Sequence, residues 1–198
     1  GQKVQFLNRD GAVKSYVLIA IETVASEAPI NSDLIVGTLD RAVLPEDGIE
    51  IVSYYNQKSS LSLNGKDLIV VGQRGRIGSN KVSNVTPLGI QQIGTIQALI
   101  YNFFKSGQPG DCHLDFGDSG GPSFIEEQGK IALVGIHCAV VQDLERTFVQ
   151  SIDSFVPAYV LGINSILSRS AYRMRPHTAI GTQSVSYTHL TLPTKRIV

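Results

Sequence analysis

Cysteine, surplus charge and long apolar runs are all scarce in this sequence, and each scarcity excludes a class of protein. Two cysteines, Cys112 and Cys138, allow at most one internal disulfide, too few for a disulfide-stapled scaffold but compatible with an exported bacterial-style protein. The 17 Lys and Arg residues balance 17 Asp and Glu residues, so the chain lacks the cations that a nucleic-acid binder needs. Its longest apolar runs are strand-sized or interrupted, which argues against a membrane span.

The composition is that of a folded chain with an unusual end. With 198 residues and 42% hydrophobic residues, the sequence suits one ordinary or two-lobed domain that buries roughly 70% of its unfolded surface. All 17 acidic residues precede residue 154, whereas basic residues continue to Arg196. The segment Ser186–Val198 is similar to translated adapter sequence. We therefore expect residues 169–198 to be an appended tail, unstructured or artefactual.

The pattern along the chain predicts an all-β protein closed by one helix. Short apolar or alternating runs recur between glycine-rich turns, which is typical of a sandwich or barrel. The predicted strands are Val4–Leu7, Val13–Ile21, Leu34–Leu39, Leu68–Gln73, Lys81–Val85, Thr95–Phe104, Ser123–Ile125, Ile131–Cys138 and Phe148–Ile152. Apolar residues at helical spacing predict a helix over Val156–Leu167, with Ser154 as its cap and Pro157 in its first turn.

The segment that carries chemistry is Gly117-Asp-Ser-Gly-Gly-Pro-Ser-Phe124. A serine nucleophile needs an exposed place on a tight turn, a base for its proton and donors for the developing oxyanion. Glycines on both sides of Ser119 permit such a turn, and the amides of Gly117 and Ser119 could converge on one oxyanion. The alternative is a glycine-rich loop with an incidental serine.

This segment resembles the nucleophile motif of the chymotrypsin/trypsin-like serine proteases. The run Asp33–Val43 is similar to that family's catalytic-aspartate strand, and Leu133–Cys138 to the strand that lines its substrate cleft. The predicted helix Val156–Leu167 is similar to the family's closing helix. The resemblance covers about residues 1–168 and is strongest at the nucleophile.

The resemblance implies a double β-barrel whose first barrel is incomplete. On this basis residues 1–45 are the remainder of the first barrel and residues 46–65 cross between the barrels. Residues 66–168 form the second barrel and its helix. The implied protein is a secreted or periplasmic serine endopeptidase that acts on polypeptides without a cofactor or metal.

Carried over residue by residue, the resemblance makes Ser119 the nucleophile and Asp33 the carboxylate that orients a histidine. The amides of Gly117 and Ser119 become the oxyanion hole. Asp118 matches a family aspartate that often pairs with a freed N-terminal ammonium. For Asp33 the simpler alternative is an aspartate that ends a loop before a strand.

The family's histidine is the feature that is missing. Its order along the chain is His, Asp, Ser, whereas His113, His137, His177 and His189 all follow Asp33. We expect the sequence to begin within the first barrel, beyond that histidine, and to have no useful peptidase activity. The simpler interpretation makes His113 a polar pocket residue and His137 an inward or edge residue bonded to backbone.

The resemblance also places a specificity pocket. His113 falls at its base, and Cys138, Ala139 and Val140 fall on its wall and mouth. No fixed negative charge awaits a Lys or Arg side chain, so we expect a preference for small or medium apolar side chains. Cys112 and Cys138 would lie on two walls of this pocket, either as a disulfide or as two small buried thiols.

Two rival functions come from other classes. The string Gly117–Gly121 also fits the nucleophile elbow of α/β-hydrolases, but that elbow opens a helix and Gly-Gly-Pro is a poor helix start. A protease-like fold that has lost catalysis and binds a partner is the stronger rival. Neither a metal-ligand cluster nor a phosphate loop is evident, because Gly72–Gly78 lacks the required helix and spacing.

Overall fold

The computed structural model describes residues 1–27, 29–56, 62–104, 112–145, 148–170 and 172–177. Within these ranges the chain forms two sheets and one α-helix. The first sheet has three antiparallel strands in the order β1-β2-β3. These strands are β1 Gln2–Leu7, β2 Val13–Thr23 and β3 Ile35–Leu39. Asn8–Ala12 joins β1 and β2 in a hairpin turn, with Gly11 at φ +78°.

The second sheet contains eight strands. Seven follow the order β6-β5-β9-β10-β11-β8-β7, all antiparallel, and the short β4 pairs in parallel with β10. The strands are β4 Ser53–Tyr54, β5 Asp67–Val71, β6 Ile77–Lys81, β7 Asn84–Ile90, β8 Gly94–Phe104, β9 Pro122–Glu127, β10 Lys130–Gln142 and β11 Phe148–Phe155. The all-β prediction is therefore confirmed.

The two edges of the large sheet meet at the short link between β6 and β7. In this link Val82 N donates to Lys66 O and Ser83 N donates to Ile100 O. A continuous ladder does not close either sheet within the described residues. The structure thus establishes two antiparallel sheets, and the double barrel remains a proposal.

One large apolar cluster packs against the eight-stranded sheet. Its members come from most strands and are at most 5% exposed. They are Tyr55, Leu63, Leu68, Val70, Val82, Val85, Leu99, Tyr101, Leu114, Ile125, Ala132, Val134 and Phe155. Leu99 and Tyr101 show the two-residue period by which a strand directs alternate side chains to one face.

The helix joins the two sheets. A 3-10 turn over Val156–Ala158 leads into α1, Val160–Leu167. Ile166 and Leu167 of α1 pack in one cluster with Val24, the residue after β2, and with Val36 of β3. The Tyr159 hydroxyl donates to Asn31 O at 2.9 Å and accepts from Gln97 N at 2.8 Å. The loop before β3 is thereby fixed against β8.

Local details differ from the sequence prediction at three places. Ser154 lies buried in β11, so the predicted cap was wrong, and Tyr159 precedes α1 without a side-chain cap. The predicted strand Lys81–Val85 instead covers the end of β6, a two-residue link and the start of β7, and Val82 is buried in the core from within that link. Pro87 fits in β7 because β7 lies at the sheet edge, where a missing N–H breaks no ladder.

The first part of the predicted tail is attached to the fold. Met174 packs against the helix cluster. The Arg175 guanidinium donates to Ile51 O at 2.7 Å and to Ser53 Oγ at 3.1 Å. The domain therefore extends beyond residue 168, while residues 178–198 lie outside the described ranges. Of the described helices, none has the length and apolar character needed to cross a membrane.

Candidate active site

Ser119 lies exposed in the loop that connects Leu114 to β9. The glycines on both sides of it take positive φ, +93° at Gly117 and +82° at Gly120, which side chains with a Cβ rarely adopt. A Cβ on Gly121 would lie 2.7 Å from both His137 Cδ2 and Val71 O. The glycines of the motif are therefore required by the bend and by close packing beneath it.

The buried carboxylate of Asp118 anchors this loop through hydrogen bonds. Its side chain is 4% exposed and accepts hydrogen bonds from Gln73 N at 2.7 Å and Asp115 N at 2.8 Å. Arg76 Nη2 completes the set at 3.3 Å. Burial alone would raise the pKa of Asp118, but the two amides and the Arg76 charge hold it below its usual range. In this structure the cation that pairs with Asp118 is therefore Arg76.

The two backbone amides predicted to form the oxyanion hole are free to donate hydrogen bonds. Within the described ranges, neither Gly117 N nor Ser119 N donates to a protein acceptor, whereas Asp118 N between them donates to Asp115 O at 3.1 Å. The Ser119 hydroxyl likewise has no hydrogen-bond partner among these residues. Two unused N–H donors beside an exposed hydroxyl suit acyl transfer, because they can bind the carbonyl oxygen that becomes negative when the hydroxyl attacks.

The nucleophile loop and Asp33 contact two consecutive residues of β10, His137 and Cys138 respectively. Gly120 N donates to His137 O at 2.9 Å, and His137 N donates to Gly121 O at 2.8 Å. Asp33 lies exposed beside the thiol of the next residue, Cys138. Burial, with a hydrogen bond to Asp33 and the negative charge of Asp33, raises the pKa of Cys138 to about 12. The loop of the predicted nucleophile and the predicted carboxylate thus contact neighbouring residues of β10, although Ser119 and Asp33 are 86 positions apart in the sequence.

The buried ring of His137 is occupied by other partners. His137 Nδ1 lies 2.9 Å from Asp153 Oδ1, and its Nε2 lies 3.1 Å from Val71 O. Both side chains of the His137–Asp153 pair have zero exposure. The interpretation of His137 as an inward residue bonded to backbone is therefore confirmed.

The surroundings of His137 favour its imidazolium form. Its two ring nitrogens face a carboxylate oxygen and a carbonyl oxygen, both of which accept hydrogen bonds from N–H groups. Burial lowers the pKa of His137, but the hydrogen bond and charge of Asp153, the Val71 carbonyl and the more distant Asp118 raise it above its ordinary value. An imidazolium has no lone pair, so this ring is unsuited to accept a proton from Ser119.

The other histidines do not replace it. The His113 ring packs on Phe103 with 4.8 Å between ring centroids, and its Nδ1 donates to Leu114 O at 2.8 Å. Neither His113 nor His177 hydrogen-bonds to Ser119 or Asp33 among the described residues, and His189 lies outside them. No described histidine is placed as the general base of Ser119.

Of the residues predicted to line a specificity pocket, Cys138, Ala139 and Val140 lie on β10, and His113 lies in the loop that precedes Ser119. Cys138 and Ala139 pack against a second apolar cluster that includes Ile100 and Ile152. Val140 pairs with Ser151, whose hydroxyl accepts from Leu114 N at 2.9 Å. Cys112 packs instead with the large core, and both cysteines are reduced. The disulfide alternative is therefore wrong for this structure.

Sequence reasoning missed Asp153, Gln73 and Arg76. Asp153 is the only acidic residue in the apolar run of β11, and such a buried charge signals an ionic partner. Gln73 and Arg76 lie in a polar turn between β5 and β6, where sequence alone shows no link to the loop 45 positions later.

The described residues form cavities but no cluster of metal ligands. No group of three or more His, Cys, Asp or Glu residues that could bind a metal is found in the described ranges. Two cavities of about 520 Å³ lie beside α1, sharing Gln97, Ala158 and Leu161, and neither is lined by Ser119 or Asp33.

Comparisons with known proteins add no relative. The chain matches no model of a known protein family, and no curated protein is significantly similar to it.

Proposed function

We propose that Ser119 is the nucleophile of a serine-type endopeptidase of the chymotrypsin-like class and that Asp33 orients its histidine. The observation that supports this most is the exposed Ser119 hydroxyl on a bend whose Gly117 and Ser119 amides have no other acceptor among the described residues. In this proposal the eight-stranded sheet is the second barrel and the three-stranded sheet belongs to the first.

The reaction would be acyl transfer. The Ser119 hydroxyl attacks a peptide carbonyl while a base takes its proton, and the two amides bind the oxygen as it becomes negative. The protonated base then releases the amine, and water hydrolyses the acyl-enzyme on Ser119. The chain offers no described base for the first step, so by itself it should turn over peptides at a negligible rate.

The proposed substrate is a polypeptide with a small or medium apolar residue before the cleaved bond. His113 faces Phe103 and is no anion, and the buried Asp153 is paired with His137, so neither presents a free negative charge. Val140 narrows the proposed pocket mouth. Profiling cleavage of a peptide library in imidazole buffer tests this, and a strong Arg or Lys preference would contradict it. The proposed compartment is secreted or periplasmic.

A binding module with a protease-like fold is the second candidate. It is favoured by the observation that the ring of His137, whose backbone bonds to Gly120 and Gly121, is hydrogen-bonded to Asp153 and to Val71 O. Such a protein would keep the bend and the amides yet leave Ser119 unreactive even when a base is supplied.

Chemical supply of the base separates the two candidates. The full chain is incubated with an alkyl fluorophosphonate, with and without imidazole, and adducts on each serine are quantified by peptide mass spectrometry. We expect imidazole to accelerate labelling of Ser119 by about 100-fold, within the range of general-base catalysis. Exposed serines such as Ser83 are internal controls, and Ser119→Ala should abolish the imidazole-dependent adduct. Labelling of Ser119 no faster than that of Ser83 would overturn the peptidase proposal.

A further inference from the structure

Gln73 contacts the nucleophile loop at two points on either side of Gly117. Its backbone N donates to Asp118 Oδ1 at 2.7 Å, and its side-chain Nε2 donates to Phe116 O at 3.1 Å. The turn that carries Gln73 is itself braced, because Gly72 N donates to Arg76 O and Arg76 N donates back to Gln73 O. Gln73 therefore approaches the loop from a fixed support.

The contact with Phe116 O determines the direction of an oxyanion donor. Phe116 C=O and Gly117 N–H belong to one planar trans peptide, in which the two groups point in opposite directions. When Gln73 Nε2 holds the carbonyl on its own side, Gly117 N–H must point away from Gln73. We infer that the side chain of Gln73 is a positioning residue that keeps this peptide from rotating and so keeps Gly117 N–H available to an oxyanion at Ser119. The inference rests on the proposed function.

The packing of Gly117 supports the same role. A Cβ at Gly117 would lie within the Gln73 side-chain amide, with Cδ only 2.9 Å away. Gly117 takes φ +93°, a value that glycine adopts readily because it has no side chain. For the same reason, Gly117 itself does little to restrict rotation of the peptides on either side of it. A glycine flanked by rotatable peptides needs an external hold, and of the described side chains Gln73 is the one bonded to Phe116 O.

The test uses phenylboronic acid, which forms a tetrahedral adduct on a serine hydroxyl with one oxygen directed at the oxyanion donors. Affinity for the full chain is followed by ¹¹B NMR in imidazole buffer. Since an exposed neutral hydrogen bond is worth about 0.5–1.5 kcal/mol, Gln73→Ala should weaken the adduct roughly three- to tenfold. Gln73→Lys, which keeps a donor, should recover most of that loss. Gln5→Ala is the matched control, because exposed Gln5 also donates through its side-chain amide, to Ser15 Oγ.

Two further readouts separate the possible failures. In Gln73→Ala the ¹³C resonance of the Phe116 carbonyl should shift, and the thermal midpoint should fall no more than it does in Gln5→Ala. A merely structural role of Gln73 would not produce this combination. Wild-type binding that is lost in Ser119→Ala but unchanged in Gln73→Ala would overturn the role of Gln73 and leave the proposed function standing. Equal binding by wild type and Ser119→Ala would overturn the proposed function and, with it, the oxyanion role of Gln73.

Discussion

The two sheets of this protein bury their apolar side chains to very different extents. The eight-stranded sheet encloses a cluster of thirteen buried residues, and even its charged pair, His137–Asp153, has zero exposure. The three-stranded sheet carries five large apolar side chains that are more than half exposed, namely Leu7, Val13, Ile19, Ile21 and Ile35. The candidate nucleophile belongs to the well-packed sheet, whereas Asp33 lies in the loop that leads from the poorly covered one.

This difference indicates that Ser119 and Asp33 are held in place by different kinds of contact. Ser119 is held by contacts internal to the large sheet, through Asp118, Gln73 and the pairing of Gly120 with His137. Asp33 depends on the contacts of a loop, chiefly Asn31 with β8 and Tyr159. The nucleophile part should therefore persist under conditions that loosen the carboxylate part.

Removing the buried charge partner should break the large sheet most severely. Asp153→Ala leaves the imidazolium of His137 buried without its counter-ion, and such a change typically costs about 3–5 kcal/mol of folding free energy. Chemical denaturation of the variant measures this loss. The double variant His137→Leu/Asp153→Leu removes both charges and should cost much less. Equal losses in the single and double variants would show that the pair is not the cause.

The same pair gives the large sheet a predictable pH dependence. The pKa of His137 is raised in the folded state, so its contribution is fully present below the unfolded pKa of about 6.5. That contribution is lost as the pH rises through the folded-state pKa. We expect the unfolding free energy to fall over this interval in the wild type and to stay flat in the double Leu variant. A wild-type stability that rises over the interval would contradict the charged state of His137.

Sequence patterns predicted the strands better than the contacts between them. The pattern of short apolar runs between turns was enough to predict β2 and β8, although β8 buries four consecutive residues, Ala98 to Tyr101, and not alternate ones. It failed at Val82, which is buried although it lies in a link. The motif located Ser119 and its glycines through local turn chemistry. The partners Gln73 and Asp153 were not predictable from the sequence. Gln73 contacts the nucleophile loop and Asp153 contacts His137 of β10, and a single sequence does not show which distant residues come together on folding.

The smallest expected change in stability comes from the exposed side of the comparison. Replacing Ile19, Ile21 and Ile35 by Thr keeps β-branched side chains and removes apolar surface that contributes little to folding, so each change should alter the unfolding free energy by about 0.5 kcal/mol or less. The oligomeric state should respond strongly, because an uncovered apolar sheet promotes association. Sedimentation velocity should show more monomer in this triple variant.

A second triple variant makes that comparison specific to one sheet. Ile77, Ile131 and Val141 are also exposed, but they lie on the eight-stranded sheet, whose other apolar residues are largely covered. Replacing these three by Thr should leave the monomer fraction near that of the wild type. An equal gain of monomer from both variants would mean that exposed apolar area anywhere drives association, and a sharp, cooperative melt of wild-type monomer would mean that the three-stranded sheet is adequately stable as it is.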